Sequence, residues 1–123
     1  MKLLWLFLAG GCGTLARYGL SGAVQRATTF AFPWGTATVN VLGCLLAGAF
    51  WSFAEPRITV GSEMRAVVLI GFLGGFTTFS AFMLESGNLL RDSQWLWLAG
   101  NLLVQNGIGL AALLLGLALG RLV

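Results

Sequence analysis

The residues whose types and spacing could do chemistry lie between positions 71 and 82, where the chain reads Gly-Phe-Leu-Gly-Gly-Phe-Thr-Thr-Phe-Ser-Ala-Phe. They fall in a charge-free apolar run, residues 66–84, which approaches the about 20 residues that a membrane-spanning helix needs. Gly74 and Gly75 each cost about 1 kcal/mol relative to Ala in a helix interior, and the hydroxyl groups after them compete for backbone hydrogen bonds. The sequence therefore predicts a helix break at membrane depth, a feature that typically marks an ion or substrate site.

Phe79 and Phe82 follow the break and are three residues apart, so they share one face of a helix. Aromatic ring edges carry partial positive charge, and an edge-on pair can attract a small anion without the strong hold of a lysine. Ser80 lies beside this face, and Asn40 in the second apolar segment adds an amide. These residues could line a weakly polar, anion-accepting path, although periodicity alone favours ordinary packing for both rings.

Other polar residues stand alone in apolar surroundings. Arg17 is well inside the first apolar segment, where it either snorkels to the interface or attracts anions in a vestibule. Asn40 is open to a simpler interpretation as an interhelical hydrogen-bonding residue. Glu85 shares the side of Phe82 and is expected at the aqueous end. In the last segment Asn101, Gln105 and Gly109 recur every four residues, a stripe that either bonds helices together or lines a polar path.

Composition excludes several classes of protein. Charged residues make up 9% of the 123 residues, against about 25% in soluble domains, and the mean hydropathy is +0.89. The net charge of +3 comes from scattered arginines, so nucleic acid is not a predicted partner. The chain has no His, the usual general base, and few carboxylates, which argues against an enzyme. Cys12 and Cys44 are predicted to be buried, and neither a disulfide nor a metal site is expected from them.

The charges divide the chain into four apolar segments, and the predicted fold is an all-α integral membrane domain, residues 1–123. The apolar run 3–8 is shorter than the about 7–15 residues of a signal-peptide core, so it predicts a first membrane helix. Exposed glycine faces indicate a homo-oligomer, and a weak bias of positive charge between the two sides permits insertion in both directions. The predicted helices are 3–24, 33–54, 64–90 with a break near 74–78, and 95–119.

Three motifs resemble those of the Fluc (CrcB) fluoride channels. They are the stretch 71–82 followed by Glu85, the segment Thr-Val-Asn-Val-Leu-Gly at 38–43, and the segment Gly-Thr-Leu-Ala-Arg-Tyr at 13–18. The resemblance covers nearly the whole chain, including its length and its four-span layout. It implies a dual-topology antiparallel homodimer in the bacterial inner (plasma) membrane, with two pores that let cytosolic fluoride leave passively and so reduce its toxicity.

The resemblance also implies roles for single residues. Phe79 and Phe82 correspond to the pore phenylalanines, Asn40 to the pore asparagine, and Ser80 to a hydroxyl beside the path. Arg17 and Glu85 correspond to the vestibule. A structural sodium ion on the two-fold axis is expected to be held by backbone carbonyls of both subunits. The matching carbonyls here are those of Gly74 and Thr77.

The chain departs from the family pattern in helix 4, where relatives commonly carry Ser or Thr and this sequence has Asn101, Gln105 and Gly109. The first two are candidates for a polar pore track. The main alternative function is a small four-helix proton-coupled multidrug exporter, which needs a membrane-embedded carboxylate. Glu85 is the one candidate for that carboxylate. A non-transporting scaffold is a third possibility, but it leaves the broken helix unexplained.

Overall fold

A computed structural model describes residues 1–28, 31–57 and 60–122. Four helical stretches in this part of the chain are long and apolar enough to cross a membrane, and the residues described form no strands. The first two are α1 (Lys2–Ala27) and α2 (Trp34–Ala54), and the last is α5 (Trp95–Gly120). The third, Ser62–Arg91, is broken into two helices, α3 (residues 62–76) and α4 (Phe79–Arg91).

Three of the four spans extend slightly beyond the predicted bounds of 3–24, 64–90 and 95–119, whereas α2, predicted as 33–54, begins one residue later at Trp34. The largest difference is at the end of α1, where Gln25 continues the helix. Its side chain donates to the Phe32 carbonyl at 3.3 Å and accepts from the Gly35 N–H at 3.0 Å. These two bonds tie the end of α1 to the start of α2, which explains why a polar residue is retained in the helix. Pro33 immediately precedes α2.

The third span is interrupted at Thr77 and Thr78, inside the segment where the sequence predicts a break. Thr77 has φ −93° and ψ 162°, and Thr78 has φ −152° and ψ 118°, so both are extended. The Thr77 hydroxyl donates to the Leu73 carbonyl at 2.8 Å and thereby closes α3. The Thr78 hydroxyl accepts from the Ala81 N–H at 3.2 Å, the usual way in which a threonine caps the start of a helix.

Glycines allow the helices to approach closely. A Cβ on Gly48 of α2 would lie 2.2 Å from the Leu113 carbonyl oxygen, and one on Gly116 of α5 would lie 2.1 Å from the Leu45 carbonyl oxygen. A Cβ on Gly13 of α1 would be 2.1 Å from the Phe72 oxygen of α3. Such backbone contact requires glycine, and it is the small-residue packing expected in membranes.

Packing through one narrow face leaves much of α1 exposed. Gly13 is buried against α3, whereas the adjacent Cys12 is exposed. The prediction that both cysteines are buried is therefore wrong for Cys12, because only the glycine side of α1 contacts its neighbours. Cys44 of α2 is half-buried. The small buried core consists of Val39, Leu73 and Phe76.

Gly116→Val is expected to separate α2 from α5 and to lower stability by about 1–3 kcal/mol, the range for overpacking a well-packed interior. The physical reason is the contact of Gly116 with the Leu45 carbonyl. Gly87→Ala is the control, because a Cβ on Gly87 meets nothing within 4 Å. Thermal denaturation in detergent, followed by size-exclusion chromatography, measures both. Equal midpoints for Gly116→Val and wild-type protein would contradict this account of the packing.

Candidate functional site

A cavity of about 390 Å³ lies at the helix break. Its walls come from α2, from both sides of the break and from α5, so every span except α1 contributes. Of the four residues predicted to line an anion path, Asn40, Phe79 and Phe82 border this cavity and Ser80 does not. Gln105, a candidate for the polar pore track, also borders it. The lining includes Asn40, Cys44, Gly74, Thr77, Thr78, Phe79, Phe82, Gln105 and Asn106.

Asn40 holds the break through the peptide groups of a single residue. The Thr78 N–H donates to Asn40 Oδ1 at 2.8 Å, and Asn40 Nδ2 donates to the Thr78 carbonyl at 2.9 Å. The interruption of the helix removes the ordinary acceptor of the Thr78 N–H, and Asn40 Oδ1 replaces it. The Thr78 carbonyl, which as the N-cap carbonyl accepts the first bond of α4, gains the Asn40 amide as a second donor. Asn40 therefore bonds two helical segments, as its simpler interpretation proposed, and it also borders the cavity.

A chain of hydrogen bonds continues from Asn40 into α5 and returns to α4. Asn40 Nδ2 donates to Gln105 Oε1 at 2.5 Å, and Gln105 Nε2 donates to Asn101 Oδ1 at 2.8 Å. Asn101 Nδ2 donates to Ser86 Oγ at 3.0 Å, and Ser86 donates to the Phe82 carbonyl at 2.8 Å. The predicted stripe on the last helix thus bonds helices together at Asn101, which is fully buried, and borders the cavity at Gln105.

A π-helical turn, Val104–Ile108, interrupts the regular geometry of α5 beside this chain. Asn106 lies in the same turn, and its Nδ2 donates to the Leu102 carbonyl at 2.8 Å. Single π turns of this kind often occur at functional sites. The sequence gives no cue for the turn, so the direction in which Gln105 points was not predictable from the spacing of four.

Phe79 and Phe82 meet edge to face, with ring centroids 5.8 Å apart and an interplanar angle of 66°. Phe82 is only 4% exposed, whereas Phe79 is 72% exposed and faces out of the chain. Ser80, predicted beside the path, is exposed and does not belong to the lining of this cavity. Its hydroxyl lies 3.3 Å from that of Thr78, which does.

The break also redirects two backbone N–H groups. In a continuous helix the Thr78 N–H would bond to the Gly74 carbonyl, and the Ala81 N–H would bond to the Thr77 carbonyl. Here the first donates to Asn40 and the second to the Thr78 hydroxyl. The Gly74 and Thr77 carbonyls have therefore lost their helical donors, and both residues border the cavity.

Arg17 lies elsewhere, in a cavity of about 380 Å³ between α1, α2 and α4. It is half-buried, and no carboxylate borders its cavity in the described part of the chain. The other polar side chains there are hydroxyls, so the cavity is rich in donors and positive in charge. They belong to Thr14, Tyr18, Ser21, Thr36 and Thr78.

Glu85 borders a third cavity, of about 220 Å³, with Asn88, Asp92 and Gln94. Its Oε1 accepts a hydrogen bond from the Thr36 hydroxyl at 2.6 Å, and its buried Oε2 has no partner among the described residues. The structure thus places Arg17 and Glu85 in different cavities, and Thr36, which borders the cavity of Arg17, links the two through its hydrogen bond to Glu85. Glu85 is half-buried and lies six residues before the end of α4, against five in the predicted helix.

Sequence reasoning missed three residues of this site. Thr78 is one of several hydroxyl residues after the two glycines, and nothing in the sequence indicated that its backbone N–H and carbonyl bond to Asn40. Thr36 precedes Asn40 by four residues on the same face of α2, so helical spacing could have identified it. Ser86 had no such signal, because its partner Asn101 comes from another helix.

Comparison with known proteins gives one consistent result. The family model described as "CrcB-like protein, Camphor Resistance (CrcB)" matches residues 4–117. Three relatives carry the name "Fluoride-specific ion channel FluC". The one from Desulforapulum autotrophicum is 50% identical, that from Solidesulfovibrio magneticus 54% and that from Nitrosococcus oceani 49%. Each match covers 99% of this chain and 98% of the relative. The chain belongs to the CrcB-like family.

Proposed function

We propose that this protein is a fluoride-selective ion channel that lets cytosolic fluoride leave the cell passively and so reduces fluoride toxicity. One observation carries the proposal: the cavity at the helix break brings the edge-to-face phenylalanine pair together with amide side chains. The name that the full-length relatives share, fluoride-specific ion channel, supports it. The protein is a multi-pass membrane protein, and its family consists of channels, not enzymes.

Chemistry at the break suits a small anion. The donors available to it are amide and hydroxyl groups together with ring edges, and no lysine, arginine or carboxylate borders the cavity among the described residues. Such a lining binds an anion weakly enough to let it leave again, as conduction requires. The absence of a carboxylate there also favours a channel over proton-coupled exchange, in which a carboxylate would bind cation and proton in turn.

Passive export follows from the membrane potential. A negative interior drives an anion outward by about 2.3 kcal/mol per charge for each 100 mV. In the proposed path fluoride enters past Arg17, whose cavity shares Thr78 with the cavity at the break. It then exchanges water for the ring edges of Phe79 and Phe82 and for the polar groups near Asn40 and Ser80.

The working unit in this proposal is an antiparallel, dual-topology homodimer with two pores. Phe79 supports it, because a pore ring that is 72% exposed in one chain needs a covering surface. Gly74 is exposed beside it, in a segment whose backbone groups require partners in a membrane. A second copy of the chain would cover both, and the weak charge bias between the two sides is compatible with opposite insertion.

The proposal includes a structural sodium ion at the two-fold axis. The Gly74 and Thr77 carbonyls fit this role, because the N–H groups that would engage them in a continuous helix bond elsewhere. Carbonyl oxygens of interrupted helices are suited to Na⁺. Bound there, the ion would neutralise the partial negative charge of the carbonyl oxygens that hold it.

Fluoride efflux from liposomes loaded with potassium fluoride, started with valinomycin and followed with a fluoride electrode, tests the function. We expect wild-type protein to release fluoride and not chloride. Phe82→Ile removes a ring edge and is expected to slow fluoride release about tenfold, the effect of losing about 1.4 kcal/mol.

Phe7→Ile is the matched control, because Phe7 is 77% exposed on α1, away from the break. Its fluoride rate should equal that of wild-type protein. Wild-type protein that releases no fluoride, or releases chloride equally fast, would overturn the proposal. Loss of all transport in Glu85→Gln together with an unchanged rate in Phe82→Ile would point to the exporter.

A further inference from the structure

The backbone N–H and carbonyl of Thr78 fix the orientation of every amide in the hydrogen-bond chain. A peptide N–H can only donate and a carbonyl can only accept, so the two bonds to Thr78 determine which end of the Asn40 amide is oxygen. The remaining bond of Asn40 then comes from nitrogen, and Gln105 must present its oxygen to it. By the same logic Gln105 turns its nitrogen to Asn101. The orientations therefore follow from the bonding pattern alone.

The amide side chains of Asn40, Gln105 and Asn101 differ in whether they have a hydrogen left to donate. Each amide nitrogen carries two hydrogens. Both hydrogens of Asn40 are engaged, one by the Thr78 carbonyl and one by Gln105. Asn101 has a second hydrogen, but its side chain is 0% exposed and does not border the cavity. One amide hydrogen of Gln105 is donated to Asn101. Its second amide hydrogen has no acceptor among the described residues, and the Gln105 side chain borders the cavity.

We propose that Gln105 donates the amide hydrogen bond to fluoride in the cavity at the break, and that Asn40 acts as a positioning residue that orients Gln105. This inference rests on the proposed function and changes the role that family resemblance gave to Asn40. Gln105 is thereby the polar residue that determines anion binding beside Phe79 and Phe82.

The direction of the chain strengthens this donor. From Thr78 to Asn40, Gln105, Asn101, Ser86 and the Phe82 carbonyl, each group accepts from the one before and donates to the one after. Hydrogen bonds aligned in this way polarise one another. Because its oxygen accepts from Asn40, the Gln105 amide becomes a better donor through its free hydrogen, and fluoride is a strong acceptor.

Gln105→Ser and Gln105→Ala provide a matched test. Both lose the bonds to Asn40 and Asn101, but only serine keeps a donor at this position. If Gln105 donates to fluoride, the serine variant should conduct fluoride about tenfold faster than the alanine variant, as expected for a hydrogen bond to a charged group. Thr38→Val, at a polar residue of α2 that borders a groove outside this cavity, is the control and should match wild-type protein.

Equal and reduced rates in the serine and alanine variants would show that Gln105 only braces the helices, and would overturn the inference while leaving the channel intact. Wild-type rates in both variants would overturn it as well. If wild-type protein itself passes no fluoride, the proposed function fails, an outcome that these comparisons keep separate.

A spectroscopic measurement on wild-type protein avoids any folding defect of the variants. The chain has three glutamines, Gln25, Gln94 and Gln105, so nitrogen-15 labelling of glutamine side chains gives few amide signals. Adding sodium fluoride should shift the signals of Gln105 and leave those of Gln25 and Gln94 in place, and sodium chloride should shift none. Fluoride binding detected without a shift of Gln105 would overturn the inference.

Discussion

Asn40→Leu is expected to abolish fluoride efflux and to destabilise the protein by about 3 kcal/mol or more. The leucine side chain is similar in size, but the Thr78 carbonyl loses one of its two donors and keeps only the Phe82 N–H of α4. Two further groups, the Thr78 N–H and Gln105 Oε1, are left without a partner. Each is partly shielded from water at membrane depth, where an unsatisfied group costs more than it does at a protein surface.

Asn40→Asp separates the contribution of the bond that Asn40 accepts from that of the bonds it donates. A carboxylate still accepts from the Thr78 N–H, but it cannot donate to the Thr78 carbonyl or to Gln105, and it adds negative charge to the path of an anion. We expect its stability to lie between those of Asn40→Leu and wild-type protein, with fluoride efflux lost. Size-exclusion chromatography after heating and liposome efflux give the two readouts.

Thr38→Val is the control for these variants. Thr38 is also a polar residue of α2, but it borders an apolar groove between α2 and α5 and not the cavity at the break. Its replacement should leave both readouts unchanged. A wild-type melting midpoint in Asn40→Leu would mean that the break does not depend on this amide.

Gly43→Ala is expected to displace the break and to reduce fluoride efflux severely, at a cost in stability of about 1–3 kcal/mol. A Cβ on Gly43 would lie 2.1 Å from Cγ2 of Thr77, well inside contact distance. Thr77 cannot simply rotate away, because its hydroxyl is bonded to the Leu73 carbonyl at 2.8 Å. The added methyl group must therefore move the extended segment itself.

Thr77→Ser should rescue this variant. Serine keeps the hydroxyl that closes α3 but lacks the methyl group that the new side chain would meet. In the double variant Gly43→Ala with Thr77→Ser, efflux and stability are expected to return close to those of Thr77→Ser alone. A double variant as impaired as Gly43→Ala would show that some other contact makes alanine intolerable.

The break could be predicted from the sequence because its causes are local. Poor helix formers at Gly74 and Gly75 precede two threonines that compete for the backbone, and the structure interrupts the span at Thr77 and Thr78. The four membrane spans were likewise predictable, since hydropathy and charge determine them with little reference to packing. Cys12 shows the limit, because local apolarity does not reveal which face of α1 packs.

The hydrogen-bond chain could be predicted only in fragments. Asn40, Asn101 and Gln105 stood out as isolated amides, but the two partners of Asn40, Thr78 and Gln105, are 38 and 65 residues away from it in the chain. The π turn in α5 that accompanies Gln105 has no sequence cue, and the spacing of four assumes that it is absent. Phe79 and Phe82 share a face by spacing, yet their very different exposure depends on the tertiary arrangement.

The hydrogen bonds between Asn40 and Thr78 join two spans that enter the membrane at different times during synthesis. Synthesis proceeds from the N-terminus, so α2 reaches the membrane before the broken span, and α5 reaches it last. The partner of the interrupted backbone is therefore already in place when that backbone leaves water. When α5 arrives, it meets an amide whose orientation is settled, and only one orientation of Gln105 can complete the bond. Chain order thus places the partner of the interrupted backbone in the membrane before the third span is inserted.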